Sequence, residues 1–148
     1  MIKYIKKLQS EGKQLIEIPQ KFEKYRGVKV PETQSTLIIN ELKRCMDEKK
    51  PYLNAELKLA DLATEINYPI HDISQVLNQD LNQSFSDFVN NYRVEEVKRR
   101  LGDKAFQKYT LMAIAQQCGF NSKTSFYRIF KNETGKTPAE YLNDLKQS

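Results

Sequence analysis

One stretch of the chain carries polar side chains whose types and spacing suit contact with a nucleic acid. It is GFNSKTSFYRIFKNETGKTP, residues 119–138, in which apolar side chains recur at helical intervals (Phe126, Ile129 and Phe130). The other face of that predicted helix then presents Lys123, Thr124, Tyr127, Arg128 and Lys131. Arginine can pair with guanine O6 and N7, threonine can touch a thymine methyl, tyrosine can pack on sugar or base, and lysine can meet a phosphate. A basic helix face is often only solvated, so this face alone does not establish that the helix binds DNA.

The sequence offers little for other kinds of site. His71 is the only histidine, and Cys45 and Cys118 lack the spacing of a metal-binding pair. There is no glycine-rich phosphate loop and no evident pair of catalytic carboxylates. An enzyme is therefore the weakest function class, and no cofactor is expected. Both cysteines are predicted to be reduced, partly buried thiols.

Charge is unevenly distributed along the chain. The formal net charge is +5, but residues 1–50 carry +5, residues 51–90 carry −5 and residues 91–148 carry +5. A polyanionic partner should therefore prefer the ends of the sequence to its middle. The sequence has neither an apolar run long enough to span a membrane nor the start of a secretory signal, so a cytoplasmic location is expected.

Hydrophobic periodicity predicts helices and no strands, that is, an all-α fold. Residues 1–33 form a basic lead-in or linker, with a short helix near 2–9. Proline and glycine separate the helices that follow, and Gly102 is expected to end one of them in the left-handed conformation. The last helix has a clear start, with Thr137 as cap, Pro138 in the first turn and Glu140 three residues after the cap. The predicted helices cover about 34–49, 59–66, 70–80, 85–101, 111–118, 122–133 and 138–145.

The chain also repeats itself. LADLATEINY, residues 59–68, aligns with LMAIAQQCGF, residues 111–120, at an offset of 52. Beyond one inserted residue the offset becomes 53, so that Ile73, Val76 and Leu77 pair with Phe126, Ile129 and Phe130. Two unrelated amphipathic helix pairs would give similar apolar spacing. The match includes both turns and both following caps, which periodicity does not require, and it favours a duplicated unit.

Each repeated unit has the pattern of a helix-turn-helix, followed by a supporting helix. In the second unit, Gly119 can take the positive φ that a sharp turn needs, and Phe120 can fill the angle between the two helices. Asn121 or Ser122 can cap the second helix. The second helix of such a pattern fits the major groove of DNA.

Three motifs resemble the AraC/XylS family of bacterial transcription regulators, in its paired helix-turn-helix domain. They are KPYLNAELKLADLATEINY, FVNNYRVEEVKRRL and IAQQCGFNSKTSFYRIFKNETGKTPAEYL, and they cover about two-thirds of the chain. The resemblance implies a DNA-binding domain at 34–148, made of two homeodomain-like subdomains and an additional N-terminal helix. It places the first helix-turn-helix at about 57–84, the linker helix at about 85–101 and the second helix-turn-helix at about 109–145.

The resemblance also implies which residues face the bases. In the first unit these are His71, Ser74 and Gln75, and in the second Lys123, Thr124, Tyr127 and Arg128. The chemistry of lysine, and not the resemblance, places Lys131 at a backbone phosphate. The family commonly has arginine at the place of Gln75 and glycine at the places of Asn67 and Asn82. Asparagine tolerates positive φ, so the turns can survive. Without that arginine, and close to acidic side chains (Asp72 and Asp80), the first helix should hold DNA less strongly, although Gln75 can read adenine through its amide.

The expected function is that of a sequence-specific transcription regulator, an activator that binds double-stranded DNA and contacts RNA polymerase. The family pattern further implies a sensory domain upstream of Met1, and a lead-in that is juxtamembrane or marks an excised fragment; a generic soluble tail is the other reading. This piece alone is expected to be monomeric. The alternative function is a helical module that binds a protein or membrane surface without reading a DNA sequence.

Overall fold

The computed structural model describes residues 30–147, and in that range the chain forms helices and no strand. The prediction of an all-α fold is confirmed. The helix predicted near residues 2–9 lies outside the described residues. The α-helices are α1 (Glu32–Lys49), α2 (Leu59–Ile66), α3 (Ile70–Gln75), α4 (Phe85–Leu101), α5 (Leu111–Gln117), α6 (Lys123–Thr134) and α7 (Pro138–Gln147).

The described residues divide into two compact units. The first contains residues 30–49 and 58–85, and the second contains residues 50–57 and 86–147. The short segment at 50–57, which includes a 3-10 turn at Pro51–Leu53, therefore belongs with the second unit although it precedes α2 in the chain. No helix among the described residues is both long and apolar enough to cross a membrane.

In the first unit, α1 packs against α2 and α2 packs against α3. The side chains that are buried there share an aliphatic or thioether character: Ile38, Leu42, Met46, Leu62, Ile66, Ile73, Val76 and Leu77. The helix predicted over 70–80 is not uniform, because α3 ends at Gln75 and a π-helical turn follows at Val76–Asp80. The unit also begins earlier than the predicted start near 34, since α1 starts at Glu32 and Val30 is already buried.

The turns of the first unit depend on two asparagines. Asn67, at the end of α2, has φ of 59°, and Asn82, after the π-helical turn, has φ of 52°. Both lie in the left-handed region, which asparagine enters at lower cost than most residues. The prediction that these two turns survive without glycine is confirmed.

The second unit has an aromatic core. Phe120 and Phe126 have ring centroids 5.1 Å apart, and Phe130 lies 5.7 Å from Phe126 and 5.5 Å from Tyr141 of α7. Around these rings lie buried side chains of α4, of α5 and of the residue that ends α5: Val94, Val97, Ile114, Ala115 and Cys118. Cys45 and Cys118 are buried free thiols, as predicted.

Two helix boundaries of this unit test the capping predictions. At the start of α7, the Thr137 N–H donates to Glu140 Oε1 (2.9 Å), and the Glu140 N–H donates to Thr137 Oγ1 (3.1 Å), which is the predicted reciprocal cap. The prediction for Gly102 was wrong, because its φ lies outside the left-handed region. The chain continues there directly into a 3-10 turn at Lys104–Phe106, whose start is capped by the Asp103 side chain.

Candidate nucleic-acid interface

The turn between α5 and α6 is tight, and its geometry rests on Gly119. This residue has φ of 103°, and the N–H of the next residue, Phe120, bonds back to the Ala115 carbonyl (3.0 Å). A six-residue return of this kind satisfies a helix-end carbonyl that would otherwise lack a donor. Phe120 is buried in the same core cluster as Ile114 of α5 and Phe126 of α6, which fits its predicted place between the two helices.

Ser122 fixes where α6 begins. Its side-chain oxygen accepts a hydrogen bond from the Ser125 N–H (3.1 Å), so Ser122, and not Asn121, is the cap. With the start of α6 set at Lys123, the helical period buries Phe126 and Phe130. The opposite face is therefore fixed relative to the core.

That opposite face carries the polar side chains predicted to meet DNA in the second unit. Lys123, Thr124, Arg128 and Lys131 are exposed. Tyr127 is half-buried, with its ring edge-on to Phe126 (centroids 5.6 Å apart), and Lys123 Nζ lies 5.6 Å from the Tyr127 ring centroid. A cation held over an aromatic face is partly pre-positioned, which lowers the entropy lost when it binds. The structure thus brings these five residues onto one side of α6.

Contacts from α4 support this helix. Near the end of α6, Glu133 accepts a hydrogen bond from the Asn91 side-chain amide of α4 (3.0 Å). At its other end, the Arg93 guanidinium lies against the Gly119 turn and donates to the backbone oxygens of Tyr52 (2.7 Å) and Asn54 (2.9 Å). Burial lowers the pKa of this guanidinium. Arg93 therefore joins the 50–57 segment, α4 and the turn of the second unit.

Sequence reasoning missed the role of Arg93. Arg93 lies 41 and 39 residues from Tyr52 and Asn54 along the chain, and Gly119 is also far from it in the sequence, so no local pattern links them. The one available signal was Gly119, because a glycine beside a tight turn can mark a close approach by another group as well as a positive φ.

The same α4 helix carries a cluster of charged side chains around one buried carboxylate. Glu96, which is 5% exposed, accepts hydrogen bonds from Arg99 (2.7 Å) and Arg100 (2.7 Å). These hydrogen bonds, with Arg99 contributing most, lower the pKa of the Glu96 carboxyl to about 2. Arg100 also donates to Gln117 at the end of α5 (3.0 Å), so the cluster holds α4 against α5.

The first unit presents a different surface. His71, Ser74 and Gln75 are all half-buried on α3. The Gln75 side-chain oxygen accepts a hydrogen bond from the Val30 backbone N–H (3.0 Å). Asp72 is buried, and this burial raises the pKa of its carboxyl to about 6.

The repeat places neutral residues on α3 and its π-helical turn where α6 has lysines. By the offset of 53, Ile70 corresponds to Lys123 and Asn78 corresponds to Lys131, and both Ile70 and Asn78 are exposed. The two segments thus correspond in the sequence repeat but differ in charge. Among the described residues, no three histidine, cysteine or acidic side chains come together in a way that could hold a metal ion.

The family model described as "Helix-turn-helix domain" matches residues 62–144, which is more than half of the chain. The chain belongs to the AraC-type helix-turn-helix family. This family consists of DNA-binding transcription regulators, and its helix-turn-helix domains bind double-stranded DNA. The resemblance found in the sequence is therefore confirmed.

Relatives of this AraC-type domain are found among curated proteins and solved structures. An uncharacterized HTH-type transcriptional regulator of Staphylococcus aureus is 30% identical over 111 residues, which is 75% of this chain and 14% of the relative. The chain thus spans about one-seventh of the length of that curated relative. A Listeria innocua protein of unknown function is 27% identical, with a TM-score of 0.58 over 72% of this chain and 95% of its own. A DNA-binding transcriptional dual regulator of Escherichia coli K-12 shares the fold at 20% identity, with a TM-score of 0.63 over 75% of this chain and 94% of its own.

Proposed function

We propose that this AraC-type domain reads a specific DNA sequence by placing its two second helices, α6 and α3, in successive segments of the major groove. In this proposal α6 is the main reader and α3 the weaker one. The observation that carries it is the exposed face of α6, where Lys123, Thr124, Arg128 and Lys131 stand on a helix whose start and tilt are fixed by Ser122 and Gly119. Pre-positioned side chains lose less entropy on binding, and this favours selective contacts.

Each side chain of α6 has a role suited to its chemistry. Arg128 offers two parallel donors to guanine O6 and N7, and Thr124 contacts a base edge or a thymine methyl. Lys123 meets a base or a phosphate near the start of the helix, Tyr127 packs on a sugar or base, and Lys131 neutralises a phosphate. In the first unit, His71, Ser74 and Gln75 fill the corresponding places with less charge.

We extend the proposal to the protein from which this domain comes. The DNA-binding domain includes Val30, which is already buried in the first unit, and extends through residue 148; the residues before Val30 link it to a sensory domain upstream of Met1. The whole protein acts in the cytoplasm, or on the cytoplasmic side of a membrane, as an activator that contacts RNA polymerase. The domain alone is monomeric, and it has no catalytic role. The name of the Staphylococcus aureus relative, an uncharacterized HTH-type transcriptional regulator, supports the regulatory role.

The test is selection of bound duplexes from random DNA by the 148-residue chain, followed by measurement of affinity at several salt concentrations. If the domain recognises a specific sequence, the selected duplexes share one motif, and the domain binds that motif about a thousandfold or more tightly than competitor DNA. Its affinity also falls steeply as the salt concentration rises. Bound fragments without a common sequence would instead favour a module that binds polyanions or protein surfaces.

A further inference from the structure

A groove of about 510 Å³ lies on the second unit. It is bounded by the end of α4, the 3-10 turn that follows it, the start of α5 and the end of α7. Its apolar walls are formed by Leu101, Phe106, Tyr109, Leu142 and Leu145. Tyr109 (40% exposed) and Leu145 (37% exposed) are two of the four large apolar side chains that the described residues leave exposed. Exposed apolar side chains gathered next to polar groups are typical of an interaction surface.

Contacts within the second unit hold one wall of this groove in place. The guanidinium carbon of Arg100 lies 4.9 Å from the centroid of the Phe106 ring, and the same guanidinium is paired with Glu96. The Phe106 ring centroid lies 6.1 Å from that of Tyr109. A surface that is already formed loses less entropy when a partner binds to it.

The charge beside the apolar walls is positive. The charged side chains that line the groove are Arg100 and Lys146, and Lys108 Nζ lies 5.4 Å from the Tyr109 ring centroid. Arg100 is already paired with Glu96, whereas neither Lys108 nor Lys146 has an ion-pair partner in the part of the chain that the structure describes. Two ammonium groups therefore remain available to carboxylates of a partner, and this charge complementarity favours an acidic one.

The openness of the groove favours a segment of a larger partner over a small molecule. A small ligand in its own site usually has roughly 70–90% of its surface buried. Walls that leave Tyr109 and Leu145 this exposed cover a ligand from one side, which suits a segment whose other side belongs to a larger molecule. None of the five α6 residues assigned to DNA contacts lines the groove. The groove and the reading face therefore use different side chains.

Other parts of the same chain fit the groove poorly. Residues 1–29 contain eight basic and three acidic residues, a net charge of +5, which has the same sign as the groove. Within residues 51–90, the acidic part of the chain, Ile70 is the one large apolar side chain left exposed. A second copy of the chain thus lacks, in this acidic part, a segment that exposes two large apolar side chains.

We propose that this groove binds a short acidic amphipathic segment of a partner protein. Two apolar side chains of the segment enter between the 3-10 turn and α7, and its carboxylates pair with Lys108 and Lys146. This site goes beyond the proposed function, because it uses none of the residues assigned to DNA contacts.

The experiment is selection from random peptides displayed on phage, with the 148-residue chain immobilised. We expect the enriched peptides to share two apolar positions with aspartate or glutamate beside them. A synthetic peptide of the selected sequence is then titrated against variants of the chain by fluorescence anisotropy. Leu145→Ala should weaken its binding about tenfold, because an apolar contact is lost. Lys146→Glu should weaken it about fivefold and reduce its dependence on salt, because an attractive charge becomes a repulsive one.

Two variants of α1 in the first unit are matched controls. Leu37→Ala alters a leucine that is also 37% exposed, and Lys43→Glu makes the same charge change at another exposed position. Both should bind the selected peptide as the wild type does. Because Lys146 is exposed at the end of α7, Lys146→Glu tests the groove even where Leu145→Ala fails to fold.

Several results would overturn this proposal. They are the enrichment of no peptide, the enrichment of peptides without acidic residues, and unchanged binding in folded Leu145→Ala or in Lys146→Glu. Displacement of the selected peptide by a synthetic peptide of residues 1–29 would identify the lead-in as the occupant, and displacement by random duplex DNA would identify a nucleic acid. Self-association that sedimentation detects and Leu145→Ala abolishes would identify a second copy. Selection of DNA by the same chain tests the proposed function separately, so either proposal can fail while the other stands.

Discussion

Arg93 occupies the space into which a side chain at Gly119 would project. A Cβ on Gly119 would lie 2.5 Å from Arg93 Nε and 2.3 Å from the Tyr52 carbonyl oxygen, both closer than atoms can pack. The same Nε donates to that carbonyl at 2.7 Å. The turn that sets the angle of α6 is therefore closed by a residue of α4 and by the backbone of the 50–57 segment.

Replacing Gly119 should strongly destabilise the second unit. Gly119→Ala combines a φ of 103° with a clash against backbone, and we expect a loss of about 3 kcal/mol or more in the free energy of unfolding. Gly135→Ala is the matched control, since φ there is 82° but nothing lies within 4 Å of the added Cβ. It should cost only about 1–2 kcal/mol from backbone strain. Equal losses in denaturant unfolding would show that the close approach of Arg93 does not matter.

Arg93 itself should not be replaceable by lysine. The two backbone oxygens that it bonds, from Tyr52 and Asn54, require the forked donors of a guanidinium, and Arg93→Lys should cost about 1–3 kcal/mol. Arg44→Lys is the control, because Arg44 makes only solvent-exposed ion pairs with Glu41 and Glu48. Its cost should stay below about 0.5 kcal/mol. Amide exchange across residues 50–57 should also accelerate in Arg93→Lys alone.

On DNA, two basic residues of α6 should behave differently if α6 reads bases as proposed. Arg128→Ala should cost about 1–3 kcal/mol on the selected site and relax the preference at one base pair. Lys131→Ala should weaken binding to all sequences about equally and reduce the salt dependence of binding by about one unit of slope. Affinities for the selected site, for single-base variants of it and for random duplex separate the two cases. Sequence-independent losses from both changes would contradict the base-reading role of Arg128.

The buried carboxyl of Asp72 should make the first unit less stable as the pH rises. Burial raises its pKa to about 6 from an ordinary value of 3.8, so the folded state holds the proton more tightly than the unfolded state. The stability from this group is complete below about pH 3.8 and is lost as the pH passes 6. As the pH rises from about 3.8 to above 6, the free energy of unfolding of Asp72→Asn should therefore increase relative to that of the wild type. At pH 7.5 the variant should be more stable by about 1–3 kcal/mol. Asp80→Asn, at an exposed position, is the control, and parallel pH profiles for Asp72→Asn and wild type would exclude this effect.

Glu96 should act in the opposite direction. Its two arginine partners lower the pKa of its carboxyl to about 2, so its contribution to stability is present above about pH 4.5 and is lost as the pH falls towards 2. We expect Glu96→Gln to cost about 1–3 kcal/mol at pH 7, because Arg100 is left largely buried without its charged partner, and the cost should shrink on acidification. Glu95→Gln, which loses only a surface pair with Lys98, should cost less than about 0.5 kcal/mol. A cost for Glu96→Gln that does not change with pH would argue against the ion cluster.

The features that could be predicted from the sequence are those set by neighbours a few residues apart. The reciprocal cap of Thr137 and Glu140 spans three residues, and the apolar stripe of α6 repeats within one turn. The left-handed turns at Asn67 and Asn82 follow from the conformational tolerance of a single residue type. Such local interactions leave a pattern in the sequence, and the repeat shows the same pattern twice. The sequence therefore determined the all-α fold, the helix-turn-helix units and the basic face of α6.

The tertiary structure decided what depends on residues far apart in the chain. Arg93 meets Tyr52 across 41 residues and thereby assigns the 50–57 segment to the second unit, and Gln75 meets Val30 across 45 residues and acquires a fixed orientation. Contacts of this range arise only once helices pack, since packing, and not any repeating interval, brings their partners together. The sequence by itself therefore identifies α6 as the helix with a basic outer face, and the tertiary structure decides how that helix and its neighbours are held.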